Sequence, residues 1–261
     1  MRTFAIVNMK GGVAKTTTAI NLAYILAAEH SLRVLLVDAD GQQNATRALL
    51  PAGEYDGVAS LLEGLACYYD EVIQATDIEG VDMIPASSSL WALDLESVFE
   101  GARTDALHAL RDLRDNVTED DAYDVMIIDC PPNFSVACVA AIAAATGIII
   151  PVLPDAFSAE GMADLVAQID GVRKHYPDVR VSGCLVTQWH KADVVTDAVD
   201  YLRSESPIPV FEQVIRRTDK VLESTWAKEP VLMWSPQSSA ARDYRTWVRE
   251  LMEKEGLLNG R

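Results

Sequence analysis

Short apolar runs alternate with longer amphipathic stretches along most of the chain. The apolar runs are bounded by polar or turn residues, as expected for strands buried on both faces of a parallel sheet. The predicted strands are residues 3–9, 33–40, 81–85, 124–129, 147–153 and 179–187, with 209–215 as a weaker candidate. Helical periodicity predicts helices at residues 15–29, 88–100, 104–116, 136–145, 158–175, 193–204, 220–228 and 238–255.

This alternation indicates the fold class. Strands that alternate with helices of about 10–15 residues are typical of βαβ units and a parallel sheet. Right-handed crossovers then place helices on both faces of the sheet. The sequence has no internal repeat, low-complexity segment or long Gly/Ser/Pro linker. We therefore expect an α/β fold with a doubly wound, mainly parallel sheet, formed as a single domain over residues 1–261.

The charge is strongly acidic but unevenly distributed. The 261 residues include 22 Lys+Arg and 39 Asp+Glu, giving a net charge of −17, and 49% are hydrophobic. That apolar content excludes a disordered acidic polypeptide, and the net charge argues against nucleic-acid binding by bulk charge. However, residues 51–130 hold nineteen acidic and three basic groups, whereas residues 214–261 hold nine basic and seven acidic ones. A local basic surface thus remains possible near the C-terminus.

The cysteines and the N-terminal sequence bear on the cell compartment. Cys67, Cys130, Cys138 and Cys184 are widely spaced and form no CxxC pair, so a disulfide scaffold or a zinc ribbon is not expected. Neither a signal-peptide core nor an apolar run of about 18 residues occurs in the sequence. We expect a cytoplasmic protein with reduced thiols and no membrane association.

The most specific motif follows the first predicted strand and opens the first predicted helix. It reads Lys10-Gly11-Gly12-Val13-Ala14-Lys15-Thr16-Thr17. Glycines allow close backbone approach to a polyphosphate, and amides at a helix N-terminus bind anions. Lys15 can reach the β- and γ-phosphates, and the Thr16 hydroxyl can bind Mg²⁺. The usual phosphate loop, G-x-x-x-x-G-K-[ST], has a glycine directly before its lysine, where this sequence has Ala14.

The loop resembles the deviant Walker A motif of the ParA/MinD group of P-loop ATPases, which has an additional signature lysine before its glycine pair. Lys10 occupies that position. The resemblance spans roughly residues 3–252 and implies a P-loop NTPase fold with ATP and Mg²⁺ as cofactors. It also implies an ATP-dependent sandwich homodimer, in which Lys10 reaches the phosphates bound by the partner subunit.

Three aspartates follow predicted strands. Asp38 and Asp40 are two residues apart and share one strand face, and Asp129 ends the strand 124–129. Carboxylates buried at strand ends require a cation or hydrogen bonds. The segments Val37-Asp38-Ala39-Asp40 and Asp129-Cys130-Pro131-Pro132 resemble two further motifs of the family. By that resemblance, Asp38 and Asp129 hold Mg²⁺ through water, and Asp40 orients the attacking water.

The second half of the sequence supplies candidates for the adenine side of the site. Thr187 and Gln188 end the strand 179–187, and Val214-Ile215-Arg216-Arg217-Thr218 resembles the family's adenine loop. We therefore predict nucleotide contacts from Thr187, Gln188 and Arg216, in addition to residues 10–17. Relatives of the nitrogenase iron protein use cysteines to hold a metal cluster between two subunits. Such a cluster is not expected here, because Cys67, Cys138 and Cys184 do not provide a second suitable ligand to accompany Cys130.

The resemblance favours a partition ATPase that hydrolyses ATP slowly and binds DNA without sequence specificity. A ParB-like activator with a basic segment is the implied partner. The candidate DNA contacts are Arg216, Arg217, Lys220, Arg242, Arg245 and Arg249, which could alternatively form a solvated face paired with acidic neighbours. Two other functions stay open, a MinD-like membrane- or cluster-positioning ATPase and a non-hydrolysing scaffold. Intact Lys10, Lys15 and Asp40 argue against the scaffold.

Overall fold

A computed structural model describes residues 1–55, 57–66 and 68–258, except for the side chains of residues 156–160. The predictions that concern Cys67 and residues 259–261 lie outside this range. Seven strands are described: β1 (Arg2–Ile6), β2 (Val34–Asp38), β3 (Gln74–Ala75), β4 (Val81–Ile84), β5 (Val125–Asp129), β6 (Gly147–Val152) and β7 (Arg180–Val186). They form one sheet in the order β3-β4-β2-β5-β1-β6-β7.

The sheet is parallel apart from one edge. Only β3, a two-residue strand absent from the sequence prediction, pairs in the antiparallel direction, with β4. The other six strands coincide with the six apolar runs and end within three residues of the predicted positions. The predicted α/β fold with a mainly parallel sheet is therefore confirmed.

Helices cover both faces of the sheet. The longer ones are α1 (Lys15–Ala28), α4 (Ser89–Glu100), α5 (Thr104–Glu119), α6 (Val136–Ala144), α7 (Ala156–Arg173), α8 (Asp193–Glu205), α9 (Asp219–Ala227) and α11 (Ser239–Glu255). All eight were predicted. The sequence pattern missed the short helices α2 (Asn44–Leu49), α3 (Val58–Glu63) and α10 (Val231–Trp234) and a 3₁₀ turn at Tyr69–Glu71.

Alternation along β1 creates two apolar layers. Phe4 and Ile6 pack on one face against α1, α10 and α11, whereas Ala5 and Val7 face α5, α6 and α7 on the other. A strand buried on both faces leaves no polar position in its interior. The polar side chains therefore concentrate where the strands end, and these ends meet at one edge of the sheet.

The prediction of a strand at 209–215 was wrong. Pro209 and Phe211 exchange backbone hydrogen bonds with Cys184 of β7, but the ladder is then interrupted and resumes only at Ile215, whose amide donates to the Val186 carbonyl at 2.8 Å. The next two amides, of Glu212 and Gln213, donate instead to the Glu250 carboxylate of α11, at 2.8 and 3.1 Å. Because these amides are taken by a side chain, the segment bulges away from β7.

Candidate active site

The loop between β1 and α1 has the conformation of an anion cradle. Gly12 and Ala14 both adopt left-handed backbone angles, with φ of 74° and 68°, and α1 begins at the next residue, Lys15. A left-handed alanine is uncommon, because its Cβ is crowded in that conformation. The amides in the first turn of α1 have no intrahelical acceptor and carry the positive end of the helix dipole. They form the floor of an anion site.

The end of β7 fixes the outer side of this loop. The Thr187 hydroxyl donates to the Val13 carbonyl at 3.0 Å, and the Gln188 side-chain amide donates to the Gly12 carbonyl at 2.7 Å. Both loop carbonyls are thereby satisfied on the side facing β7. Thr187 and Gln188, which were predicted to contact the nucleotide, thus also position the loop.

The two lysines of the loop have different partners. Lys15 is buried, and its Nζ donates to the Lys10 carbonyl at 3.1 Å. Burial lowers the pKa of Lys15, and the charge of Asp129 acts in the opposite direction. Lys10 instead forms an ion pair with Asp155, Nζ to Oδ2 2.7 Å, on the loop before α7. The signature lysine is therefore held by an acidic group of its own chain.

A cleft of 570 Å³ opens above the loop. Its wall brings together most of the residues predicted to bind the nucleotide: Gly11, Gly12, Ala14, Lys15, Thr16, Thr17, Thr187, Gln188 and Arg216. Asp40 lines the same cleft, whereas Lys10 and Val13 do not. The Arg216 guanidinium is held in place by Asp243, to which its Nε and Nη2 donate at 2.9 and 2.6 Å.

The two predicted magnesium carboxylates lie side by side at the ends of neighbouring strands. β2 and β5 are neighbours, and their last residues, Asp38 and Asp129, are in register. Asp38 is fully buried but well satisfied, since it accepts hydrogen bonds from the Asp40 amide and from the amide and hydroxyl of Thr46. Burial nevertheless raises the pKa of Asp38 to about 6, against the effect of these hydrogen bonds.

Asp129 is the carboxylate whose surroundings best fit a bound cation. Neither carboxylate oxygen accepts a hydrogen bond of acceptable geometry from any described residue, although both are buried. Burial, and then the neighbouring charge of Asp38, raise the pKa of Asp129 well above its ordinary value, while the nearby Thr16 hydroxyl acts in the opposite direction. A buried unsatisfied carboxylate costs free energy unless a cation compensates it.

The available oxygen ligands fit a magnesium ion that the protein coordinates only in part. Within the described ranges, no three Asp, Glu, His or Cys side chains form a preformed metal cluster. Mg²⁺ commonly keeps several waters and binds one or two carboxylates plus substrate phosphates. Thr16, Asp38 and Asp129 at the phosphate loop fit that coordination.

Asp40 differs from the other two carboxylates because it reaches the cleft surface. It is 7% exposed, and its Oδ1 accepts the Gln42 amide at 2.9 Å. Its own amide is bound to Asp38, so the position of the catalytic candidate is tied to that of the magnesium candidate. A carboxylate at this position can accept a hydrogen bond from a water that approaches the phosphate.

Replacing Asp129 with asparagine should stabilise the nucleotide-free chain. The folded pKa of Asp129 is raised, so its ionisation weakens folding as pH rises above the unfolded value. We expect the melting temperature at pH 8 to rise by a few degrees, at roughly 2–4 °C per kcal/mol for a chain of this size. The increase in melting temperature over the wild type should become smaller as the pH falls towards 4.5.

The control is the exposed Asp77, whose asparagine variant should melt like the wild type at every pH. Thermal scans from pH 4.5 to pH 9 provide the measurement. A lower melting temperature for Asp129→Asn than for the wild type at pH 8 would contradict the assignment of Asp129 as an uncompensated charge.

Sequence reasoning missed two residues that support the site. Thr46 binds Asp38, and its hydroxyl also accepts the Ala86 amide at 2.9 Å. Trp91 of α4 packs on Gly41, where an added Cβ would lie 2.5 Å from the indole nitrogen. Thr46 follows Asp40 by six residues in the same segment of the sequence, but no pattern connected residue 91 with residue 41.

The predicted basic cluster divides into two groups. Arg216, Lys220 and Arg245 form ion pairs with Asp243, Glu223 and Glu29, respectively. Arg217, Arg242 and Arg249 are exposed and form no ion pair within the described ranges. Only three of the six basic residues predicted as DNA contacts are therefore without an ion-pair partner in the described part of the chain.

Comparison with known proteins identifies the family. An AAA-domain family model matches residues 1–181. The chromosome-partitioning ATPase Soj of Thermus thermophilus is 35% identical over 258 residues, which cover 97% of this chain and 96% of that protein. The chain belongs to the ParA/MinD family of P-loop ATPases. The chromosome partitioning protein ParA of Caulobacter vibrioides is 32% identical and is covered to 95%. Family membership confirms the resemblance carried by the loop around Lys15.

Solved structures of the family agree with the fold. A Mycobacterium smegmatis protein named cobyrinic acid a,c-diamide synthase, with bound ADP and magnesium, superposes with a TM-score of 0.82 at 26% identity. The alignment covers 98% of this chain and 96% of that one. MinD of Pyrococcus horikoshii, complexed with Mg-ADP, has a TM-score of 0.77 at 21% identity and shares the fold. The Mycobacterium smegmatis protein is also solved with a bound ATP analogue and magnesium, which agrees with the expected cofactors, ATP and Mg²⁺.

The C-terminal helix α11 bears on the membrane alternative. Its apolar stripe is buried against the sheet, with Tyr244, Trp247 and Val248 at most 1% exposed. Within the described ranges, no helix has the length and apolar character that a membrane span requires. The stripe therefore belongs to the core rather than to a surface.

Proposed function

We propose that residues 1–261 form a single P-loop domain that acts as a ParA-type Mg-ATPase. In this proposal the protein forms an ATP-dependent sandwich dimer and drives partition of DNA, with hydrolysis stimulated by a partner. The observation that carries the proposal is the pair Asp38 and Asp129, in register beneath the start of α1, with Asp40 at the cleft surface. The partitioning relatives, similar over nearly the whole chain, support it.

In the proposed reaction, each group of site residues has a separate role. The amides of residues 11–16 and the Lys15 ammonium bind the phosphates, and Thr16, Asp38 and Asp129 would hold Mg²⁺, the two aspartates through water. The metal neutralises charge on the β- and γ-phosphates when bound. Asp40 orients a water for in-line attack on the γ-phosphorus. A bond forms between the water oxygen and that phosphorus while its bond to the β–γ bridging oxygen breaks, and the products are ADP and inorganic phosphate, which take up the protons of the water. Lys10 supplies positive charge to the partner subunit's phosphates.

DNA contact is assigned to the unpaired part of the basic cluster. Arg242 and Arg249 lie seven residues apart on α11, and Arg217 lies on the loop that borders the cleft. An arginine that is already paired releases less free energy on binding a phosphate, because the existing partner must first be lost. We therefore propose these three side chains as the main DNA contacts, with Arg216, Lys220 and Arg245 secondary.

The test compares ATP-dependent binding to random DNA with binding to anionic phosphatidylglycerol liposomes over a salt series. The expected result is DNA binding that requires ATP and weakens with salt, and no liposome binding. Each phosphate contact contributes about 0.9 to the logarithmic salt slope. Liposome binding without DNA binding would favour the MinD-like function, and absence of hydrolysis would favour the scaffold.

Alanine at Arg217, Arg242 and Arg249 together should reduce the salt slope by about 2–3. The matched control replaces Lys174, Arg180 and Lys191, which are also exposed and form no ion pair within the described ranges. Filter binding or fluorescence anisotropy at several salt concentrations measures both. Equal slopes for the two triple variants would reject the assignment of the DNA face.

A further inference from the structure

A second cavity adjoins the nucleotide cleft. Its volume is about 370 Å³, and it lies between the first turns of α1, the short helix α2 and the C-terminal end of α9. Thr16, Thr17, Asn44 and Thr225 line both this cavity and the cleft. We call it the side cavity. A volume of this size is typical of a small-molecule site.

Hydrogen bonds within the chain fix part of the wall of the side cavity. The Asn21 side-chain amide donates to the Thr17 carbonyl at 2.7 Å, and its Oδ1 accepts the Val231 amide of α10 at 2.9 Å. Both polar groups of this buried side chain are therefore used inside the protein. The hydroxyls of Ser224 and Thr225 likewise donate to backbone carbonyls of α9, at 2.8 and 2.7 Å. These residues hold the shape of the cavity.

Four other side chains of the side cavity have unused hydrogen-bond donors. Arg47 and Lys228 are exposed, and neither forms an ion pair or a side-chain hydrogen bond within the described ranges. The same is true there of the Asn44 amide and the Thr17 hydroxyl. Lys228 also has a left-handed backbone, with φ of 58°, at the end of α9, a conformation that glycine adopts most readily. Two cations and two neutral donors favour an anionic ligand.

One carboxylate restricts the kind of anion that fits. Glu229 lines the side cavity next to Lys228, is exposed, and forms no ion pair within the described ranges. It repels a bare inorganic anion, but it can accept hydrogen bonds from hydroxyl groups that lie beside a phosphate. Ile20 and Ala48 add an apolar part of the wall, on which the C–H groups of a sugar ring can pack. A phosphorylated sugar matches the cationic, acidic and apolar parts of the cavity together.

We propose that the side cavity binds a phosphorylated sugar, with its phosphate on Arg47 and Lys228 and its hydroxyls on Glu229. The ligand lies against Thr16 and Thr17, in the turn of α1 that also borders the nucleotide cleft. Two anionic ligands on the same turn repel each other, so the sugar phosphate weakens nucleotide binding, and nucleotide weakens sugar-phosphate binding by the same factor. The site does not depend on ATP hydrolysis or on DNA partition.

The test titrates ribose 5-phosphate into protein saturated with Mg-ADP, which fills the phosphate loop, and measures the heat of binding by calorimetry. Inorganic phosphate and ribose are the comparison ligands. We expect ribose 5-phosphate to bind, inorganic phosphate to bind at least about tenfold more weakly, and ribose not to bind. The double variant Arg47→Gln/Lys228→Asn should weaken binding of ribose 5-phosphate at least about tenfold, because it removes hydrogen bonds to a charged group.

The matched control, Lys174→Gln/Lys191→Asn, removes two exposed lysines that form no ion pair in the described part of the chain and should leave binding unchanged. Glu229→Gln should abolish the preference for ribose 5-phosphate over inorganic phosphate. Affinity for Mg-ADP alone, within a few-fold of the wild type, verifies that each variant is folded. Equal affinity of the wild type for ribose 5-phosphate and inorganic phosphate, or equal affinity of the Arg47→Gln/Lys228→Asn and control variants for ribose 5-phosphate, would overturn the proposal.

The coupling is measured separately, from the affinity for a fluorescent ADP analogue with and without saturating ribose 5-phosphate. We expect this affinity to fall about fivefold in the wild type and to stay unchanged in Arg47→Gln/Lys228→Asn. An equal fall in that variant would place the sugar phosphate in the nucleotide cleft and overturn the separate site. Binding of ribose 5-phosphate without any change in nucleotide affinity would reject the coupling and retain the site.

Discussion

Replacing Asp40 with alanine is expected to abolish hydrolysis while ATP binding and dimerisation persist. Asp40 lines the cleft but is not part of the phosphate loop, and Asp38 keeps its two bonds from Thr46 when the Asp40 side chain is lost. Positioned proton acceptors typically contribute about 10²–10⁴-fold to rate. We therefore expect kcat to fall at least about a hundredfold, with nucleotide affinity within a few-fold of the wild type.

Phosphate release measures the rate, and equilibrium binding of a fluorescent ATP analogue measures the affinity. The exposed Asp77→Ala variant serves as the control for loss of an acidic group. Wild-type turnover by Asp40→Ala would remove Asp40 from the mechanism. Loss of ATP binding would instead make it part of the magnesium site.

Replacing Lys10 with alanine should abolish the ATP-dependent dimer. The side chain does not line the cleft of its own subunit and pairs with Asp155, which is compatible with the proposed contact to phosphates bound by a partner subunit. Monomeric ATP binding should change little, because Lys15 and the loop amides remain. Analytical ultracentrifugation with and without a non-hydrolysable ATP analogue measures the effect.

Asp155→Asn provides the complementary variant. Removing this carboxylate lowers the cost of releasing Lys10, so the dimer should form at lower protein concentration than in the wild type. An ATP-dependent dimer that survives Lys10→Ala unchanged would refute the role across the interface, whatever the behaviour of Asp155→Asn.

The fold and the geometry of the candidate phosphate loop were predictable because their determinants are local. A strand, glycines, Lys15 and a helix follow one another within one segment, and Asp38 and Asp129 each end an apolar run. Parallel strands bring such ends to the same edge whatever the details of packing. The conformation of residues 209–215 was not predictable in this way, because two of their amides donate hydrogen bonds to Glu250, which is distant in the sequence.

Surface properties were much less predictable. Periodicity shows that α4 has an apolar side, but it cannot show that Leu90 and Leu93 pack on the core while Phe99 is left in solvent. The pairing of the basic cluster was equally hard to predict from the sequence. Whether Arg245 is free or paired depends on Glu29, which is 216 residues away and is brought close only by the packing of α11 on α1.

Thr46 has a consequence for nucleotide affinity. Its hydroxyl donates to Asp38 and accepts from the Ala86 amide, three residues before α4 begins. A continuous hydrogen-bonded path thus connects Asp38, a proposed magnesium ligand, with the start of α4. Coupling between two binding sites is reciprocal in free energy, so any molecule that binds at α4 and strengthens nucleotide binding must itself be bound more tightly, by the same factor, when nucleotide is present.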